Sequence, residues 1–146
     1  MLYVPEFKGT YSADNIPLFE KKTNFSIIVN LSNMNEKGSH FIAIKRRAAE
    51  SVVMYYNPFG GKCENKNILS FMSQYTRNYN YSLLQVQSYL SEMCGFFCAG
   101  YLISDHLNFK INKYHQIYNF QDLLLNDAIV TKFIVKHLDK AINNKL

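Results

Sequence analysis

The sequence predicts an α+β fold in which a sheet forms first along the chain and helices pack on it. Short segments rich in β-branched and aromatic residues occur in the first half, whereas apolar residues at helical spacing dominate the second half. Of the 146 residues, 48% are hydrophobic and 18% are charged, and no repeat or low-complexity tract marks a linker. We therefore predict a single domain, residues 1–146, with a sizeable core.

The predicted elements follow in order along the chain. Residues 1–24 mix turn formers with aromatic residues, which predicts an irregular N-terminal segment. Four strands are predicted at residues 25–31, 40–45, 51–56 and 82–87, of which the first three form a meander. Amphipathic helices are predicted at residues 67–75 and 127–142, and a buried central helix at residues 94–107.

Charge and cysteine content limit the class of protein. Sixteen basic and eleven acidic side chains give a net charge of +5, a mild excess that permits contact with nucleic acid without requiring it. An odd number of cysteines, at 63, 94 and 98, does not make a disulfide framework, and no second ligand pair completes a zinc site. Without a long apolar run or a signal-peptide pattern, we expect an intracellular chain with free thiols and no membrane contact.

Two polar residues flank the predicted hairpin. The two strands are expected to be joined by a loop of about four residues, so that Arg46 pairs with Ser51. In this register, His40 lies directly opposite Asn57 on the neighbouring strand. A catalytic imidazole needs a partner that fixes its ring and tautomer, and asparagine serves this purpose in Cys-His-Asn triads. Each residue also has an ordinary explanation, because a histidine at a strand start is commonly structural and Asn57 can simply begin a turn.

Cys94 is the candidate nucleophile. It falls in the first turn of the central helix, where N–H groups and the helix dipole stabilise a thiolate, and Gly95 beside it allows close approach. Gln87 is either an ordinary polar strand end or a donor that joins the Cys94 N–H in an oxyanion hole. The alternative for a free cysteine is a small buried hydrophobe, which suits Cys98. Cys63 lies in a polar loop and is expected to be incidental.

Four segments of the sequence, taken in order, carry a resemblance to a known family. They are HFIAI from His40, YNPFG from Tyr56, the single residue Gln87, and CGFFC from Cys94. In order and spacing they resemble the adenovirus maturation protease (adenain) family, in the compact form of virophages and related small DNA viruses. The resemblance implies a mixed sheet flanked by helices, a permuted papain-like cysteine protease fold.

The same resemblance implies roles for individual residues. Cys94 would be the nucleophile, His40 the general base and then acid, and Gln87 the oxyanion donor. Where the related proteases have Glu or Asp before Pro-Phe-Gly, this chain has Asn57, which can orient the imidazole but stabilises its cation less than a carboxylate does. The implied activity is that of a cysteine endopeptidase which cleaves viral capsid or other structural precursors next to small residues, commonly glycine, during virion maturation.

The resemblance to this protease family also implies partners and activators. We expect a monomer that requires no cofactor and acts in the virion and in the host cytoplasm or nucleus. Proteases of this family are stimulated by DNA and by a viral peptide that can be tethered to a cysteine. Thr76 stands at that cysteine's position, so a peptide activator is expected to bind noncovalently. Lys45, Arg46 and Arg47, at the predicted hairpin tip, are the expected contacts to DNA phosphates.

Two other functions fit the same residues. An isopeptidase acting on ubiquitin-like tails belongs to a clan with the same order of His, acid, Gln and Cys, and it also accepts Gly-Gly substrates. A noncatalytic capsid or nucleic-acid binding module that retained the fold would account for Asn57 and for the net charge of +5.

Overall fold

The computed structural model describes residues 4–32 and 40–145. Within these residues there are five strands and four α-helices, and four of the strands precede the first helix, as in an α+β fold. The strands are β1 (Phe7–Ser12), β2 (Phe25–Asn30), β3 (Phe41–Arg47), β4 (Val52–Tyr56) and β5 (Asn80–Tyr81). The helices are α1 (Lys66–Ser73), α2 (Cys94–His106), α3 (Ile111–His115) and α4 (Asn126–Lys145).

The strands form one mixed sheet in the order β1-β2-β3-β4-β5. β2, β3 and β4 are antiparallel neighbours, whereas β1 runs parallel to β2 and β5 runs parallel to β4. The predicted meander is therefore confirmed, and so is the mixed sheet flanked by helices.

Helices cover both faces of the sheet. Because side chains alternate along a strand, Ile27 and Val29 of β2 face the core beneath α1, whereas Ile28 faces the core beneath α2. Phe97, Cys98 and other residues of α2 are buried against the sheet and α4, as the sequence predicts for a central helix. No helix in the described part of the chain is long and apolar enough to span a membrane.

Two predictions of secondary structure are wrong. Phe7–Ser12, predicted to be irregular, forms β1, which pairs with β2 through a register shift after Phe7 and a positive φ of 136° at Gly9. Residues 82–87, predicted to be a strand, are not one, because the N–H groups of Val86 and Gln87 both donate to the carbonyl of Pro58. The short helix α3 was not predicted at all.

The predicted hairpin register is also wrong, by two residues. Arg47 pairs with Val52, rather than Arg46 with Ser51, because residues 48–50 form a single 3₁₀ turn that ends in a left-handed Ser51. Since side chains alternate with a period of two, an even shift keeps every side chain on its predicted face of the sheet. The predicted proximity of the residues that flank the hairpin survives for this reason.

Candidate active site

His40 and Asn57 are joined by a hydrogen bond at the open end of the hairpin. The distance from His40 Nε2 to Asn57 Oδ1 is 2.8 Å. Asn57 Oδ1 also accepts the Phe59 N–H at 2.9 Å, which identifies this atom as the amide oxygen because a backbone N–H can only donate. His40 Nε2 must therefore be the protonated nitrogen, and in the neutral ring Nδ1 carries the lone pair.

The environment of His40 favours the neutral imidazole. Its ring stacks on Phe59, with centroids 4.4 Å apart and planes at 8°, and Tyr89 packs on Phe59 from further out. Burial lowers the pKa of His40, whereas the hydrogen bond with Asn57 raises it by a smaller amount. His40 Nδ1 is buried and has no hydrogen-bond partner within residues 4–32 and 40–145. This nitrogen is therefore equipped to accept a proton.

Cys94 is the first residue of α2 and is 3% exposed. Its Sγ accepts a hydrogen bond from the N–H of Phe41 at 3.3 Å, and the thiol of Cys98 donates to the carbonyl of the same residue at 3.4 Å. Two sulfurs one helical turn apart thus contact the backbone directly after His40. This contact brings the predicted nucleophile and the predicted base to one end of α2.

The other two thiols have different surroundings. Burial raises the pKa of Cys98 and of Cys63, which keeps both sulfurs protonated and poorly nucleophilic. Cys98 is fully buried, as expected for a small hydrophobe, but Cys63 is also buried, although the sequence suggested an incidental loop residue. Next to Cys94 the packing is open, since a Cβ built on Gly95 would meet only a Phe41 ring carbon at 4.0 Å.

Gln87 lies in the segment that leads into Cys94 and is fully buried. Its Nε2 donates to the carbonyl of Ser91 at 3.0 Å and lies 3.4 Å from the Ser91 hydroxyl oxygen. Its Oε1 has no partner among the described residues. Both contacts of Gln87 Nε2 are thus to Ser91, just before the start of α2. When one N–H is shared between the carbonyl and the hydroxyl of Ser91, the second hydrogen of the nitrogen is left for another acceptor.

The turn of residues 57–61 follows the hairpin and is hydrogen-bonded to the segment that carries Gln87. The carbonyl of Pro58 accepts hydrogen bonds from the N–H groups of Val86 and Gln87. The N–H of Gly61 donates to the carbonyl of Ser82 at 2.9 Å. Gly60 has a φ of +82°, and a Cβ on it would lie 2.6 Å from the carbonyl oxygen of Leu83. Only glycine fits at this position.

The predicted phosphate contacts at the hairpin tip need correction. Lys45 and Arg46 are 7% and 5% exposed, and they belong to β3 rather than to the tip. Lys45 forms an ion pair with Asp105 of α2, and burial lowers its pKa to about 8. Arg46 lies over the ring of Tyr75 at 4.9 Å. Arg47 remains partly exposed, 3.5 Å from Asp105. Two of the three residues expected to contact DNA are therefore buried, and DNA contact stays a prediction.

Sequence reasoning missed three residues that shape the site. Phe59 could have been found, because it lies two residues after Asn57 in the same turn motif. Phe41 contributes through its backbone, which leaves no signal in the side-chain pattern. Ser91 bonds to Asp127 on α4, and nothing in the local sequence indicates so distant a partner.

Comparisons with known proteins support the fold. The sequence matches no protein-family model and no curated protein. Among solved structures, the selenomethionine crystal structure of ASFV pS273R protease is similar, with a TM-score of 0.54 and 16% sequence identity. The match covers 75% of this chain and 42% of that protease, so the chain spans less than half of that protease's length. A viral protease thus shares the fold, while the resemblance to the adenovirus maturation protease family stays a prediction.

Proposed function

We propose that the protein is a cysteine endopeptidase in which Cys94 is the nucleophile, His40 the general base and acid, and Asn57 the group that orients the imidazole. The observation that carries this proposal is the 2.8 Å bond from His40 to Asn57, in a tautomer that leaves Nδ1 to accept a proton. The position of Cys94 at the start of α2, in contact with the residue after His40, supports it. The fold shared with a viral protease supports it independently.

The reaction follows from these positions. His40 Nδ1 takes the thiol proton as Cys94 Sγ attacks the scissile carbonyl carbon, and the π electrons of the carbonyl move to its oxygen. When this intermediate collapses, the C–N bond breaks and His40 returns the proton to the leaving amine. A water molecule, deprotonated by His40, then attacks the thioester and releases the second product with the regenerated thiol. Gln87 and the Cys94 N–H are the proposed donors to the two transient oxyanions.

Asn57 changes how the proton moves. An amide holds the ring but adds no negative charge, so the imidazolium is stabilised less than it would be beside a carboxylate. Burial disfavours the same cation. We therefore infer that the imidazolium formed when His40 takes the proton of Cys94 is less stable than in a site where a carboxylate orients the ring.

The substrate class rests on the sequence resemblance. Viral capsid or other structural precursors, cut next to small residues such as glycine during virion maturation, are the proposed substrates. In this proposal the protein acts as a monomer in the virion and in the host cytoplasm or nucleus, and any peptide activator binds without a disulfide at Thr76.

The proposal is tested by selective labelling and by cleavage. The folded protein is treated with a limiting amount of iodoacetamide and mapped by mass spectrometry, with denatured protein as control. Cys94 should be labelled well before Cys63 and Cys98 in the folded protein, and all three should be labelled equally after denaturation. Labelling that favours Cys98, or that ignores Cys94, contradicts the assignment.

Cleavage defines the substrate. A capsid precursor and a ubiquitin-like precursor are incubated separately with the protein and with the Cys94→Ala variant. Cleavage of the capsid precursor by the unmodified protein alone supports the endopeptidase, whereas cleavage of only the ubiquitin-like precursor identifies an isopeptidase. If neither Cys94 labelling nor cleavage of either precursor is observed, the noncatalytic function is favoured.

A further inference from the structure

One hydroxyl group links three parts of the candidate site. Ser91 is 8% exposed, and its Oγ lies 2.7 Å from Asp127 Oδ1 at the start of α4. Because a carboxylate can only accept, Ser91 must donate its proton to Asp127. The lone pairs of Ser91 Oγ are then left for the N–H of Met93 at 3.1 Å and for the Gln87 amide nitrogen at 3.4 Å.

These contacts decide which end of the Gln87 amide faces the start of α2. The carbonyl of Ser91 accepts from Gln87 Nε2 at 3.0 Å, so a flipped amide would set two oxygens against each other. The hydroxyl acts in the same direction only while its own proton points at Asp127. If that proton were released, it could donate to the flipped amide oxygen, which in the present orientation has no partner among the described residues.

We propose that Asp127, acting through the Ser91 hydroxyl, is a positioning residue that keeps the N–H end of Gln87 directed toward the start of α2. The inference rests on the proposed function, in which Gln87 donates to the oxyanion. The same hydroxyl oxygen accepts from Met93, the N-cap residue directly before Cys94. Through the hydroxyl oxygen of Ser91, Asp127 therefore positions both the Gln87 amide and the backbone of Met93, which precedes Cys94.

The mechanism makes an unusual prediction for a pair of variants. Asp127→Ala frees the Ser91 proton, which then stabilises the wrong amide orientation. We expect kcat to fall about tenfold, a part of the 10²- to 10³-fold loss that follows deletion of an oxyanion donor, with KM unchanged. Ser91→Ala removes the proton altogether and should cost less. The double variant should therefore resemble Ser91→Ala and be faster than Asp127→Ala alone.

The experiment uses the full chain and a fluorogenic peptide derived from a cleaved precursor. kcat and KM are measured for the unmodified protein, the two single variants, the double variant, and Ser88→Ala as a matched serine control in the same loop. Two further readouts separate positioning from general damage. Alkylation of Cys94 by iodoacetamide forms no oxyanion and should keep its rate, whereas inhibition by a peptide aldehyde, whose adduct places an oxygen in the oxyanion site, should weaken in proportion to kcat.

A spectroscopic readout is independent of turnover. In ¹⁵N-resolved NMR spectra, the Gln87 side-chain amide protons should be protected from exchange in the unmodified protein and in Ser88→Ala, and exposed or shifted in Asp127→Ala. The inference is wrong if Asp127→Ala keeps its kcat, if alkylation falls as much as kcat does, or if the double variant is slower than both single variants. Failure of the unmodified protein to cleave or to be alkylated at Cys94 would instead contradict the proposed function itself.

Discussion

The two halves of the candidate site are held by different kinds of contact. His40 and Asn57 flank the paired strands β3 and β4, so the backbone ladder of the sheet sets their separation. Residues 82–93, which carry Gln87 into α2, have no ladder beyond β5. Side chains from the start of α4 hold this second half instead.

This difference indicates where each half is vulnerable. A ladder distributes its support over many backbone hydrogen bonds, so single substitutions in the hairpin half should affect chemistry more than position. The loop half depends on a few buried side chains, each of which leaves unpaired polar groups when it is removed. Substitutions in the hairpin half should therefore mainly lower activity, whereas substitutions in the loop half should mainly lower stability.

The largest expected effect comes from the nucleophile. Cys94→Ala should abolish peptide cleavage and leave the protein folded, because the nucleophile is removed and alanine is favoured in a helix, even though the Phe41 N–H loses its acceptor. Cys98→Ala, one turn further along α2, should retain measurable turnover. Kinetic assays and thermal melts on both variants provide the check. If Cys98→Ala inactivates a folded protein while Cys94→Ala does not, the assignment of the nucleophile is wrong.

In the hairpin half, His40→Ala should lower kcat by about 10²- to 10⁴-fold, because the general base and acid is lost. Asn57→Ala should cost less, since orientation of the ring is a secondary contribution. The hydrogen bond that His40 donates to Asn57 raises the pKa of His40, so its loss should move the His40 titration to lower pH. Asn57→Asp should move it to higher pH, because a carboxylate stabilises the imidazolium.

The titration can be followed directly from the His40 ring proton in NMR spectra, alongside the pH–rate profile. Profiles that superimpose for the unmodified protein, Asn57→Ala and Asn57→Asp would remove Asn57 from the site.

In the loop half, Asn126→Ala tests the anchor on α4. The buried Asn126 amide donates to the carbonyls of Val86 and Asn119 and accepts the N–H of Asn119. Its removal should lower the free energy of unfolding by about 2–3 kcal/mol, because these backbone groups remain unpaired. Asn65→Ala, which removes the N-cap of α1, is the matched control and should cost about 1 kcal/mol. Equal losses in urea denaturation would show that the loop half has no special dependence on its anchor.

The smallest expected effect concerns two glycines of α2. Gly95→Ala should raise the free energy of unfolding by about 0.5–1 kcal/mol, because its Cβ enters open space and alanine favours the helix. Activity should fall nevertheless, because that space lies beside Cys94. Gly100→Ala should be destabilising, since its Cβ would lie 2.6 Å from the Tyr114 hydroxyl and 3.0 Å from Val130 Cγ2. Thermal melts that rank the two variants in the opposite order would contradict this prediction.

The sequence predicted those parts of the molecule that depend on local periodicity. The β-branched and aromatic composition of residues 25–31 and the helical spacing in residues 127–142 are properties of short windows, and both elements are observed. The pairing of His40 with Asn57 was anticipated from an incorrect register. It was still observed because an error of two residues leaves both side chains on the same face.

Features that depend on distant partners could not be predicted. The six residues of β1 alternate weakly and include a glycine, so their strand character comes from pairing with β2. Residues 82–87 have strand-like composition, but the carbonyl of Pro58 takes two of their N–H groups and prevents a ladder. The bond from Ser91 to Asp127 joins residues 36 positions apart, and no short window of sequence contains both.

The turn of residues 57–61 has a consequence for how the site opens. It receives the His40 hydrogen bond on one side, holds the backbone of residues 82–87 on the other, and has no room for a side chain at Gly60. Neither half can therefore separate from the turn without loosening the other. In hydrogen-exchange terms, the amides of Phe59, Val86 and Gln87 should form one cooperative unit with a common opening free energy, so that the base and the oxyanion donor are lost and regained together.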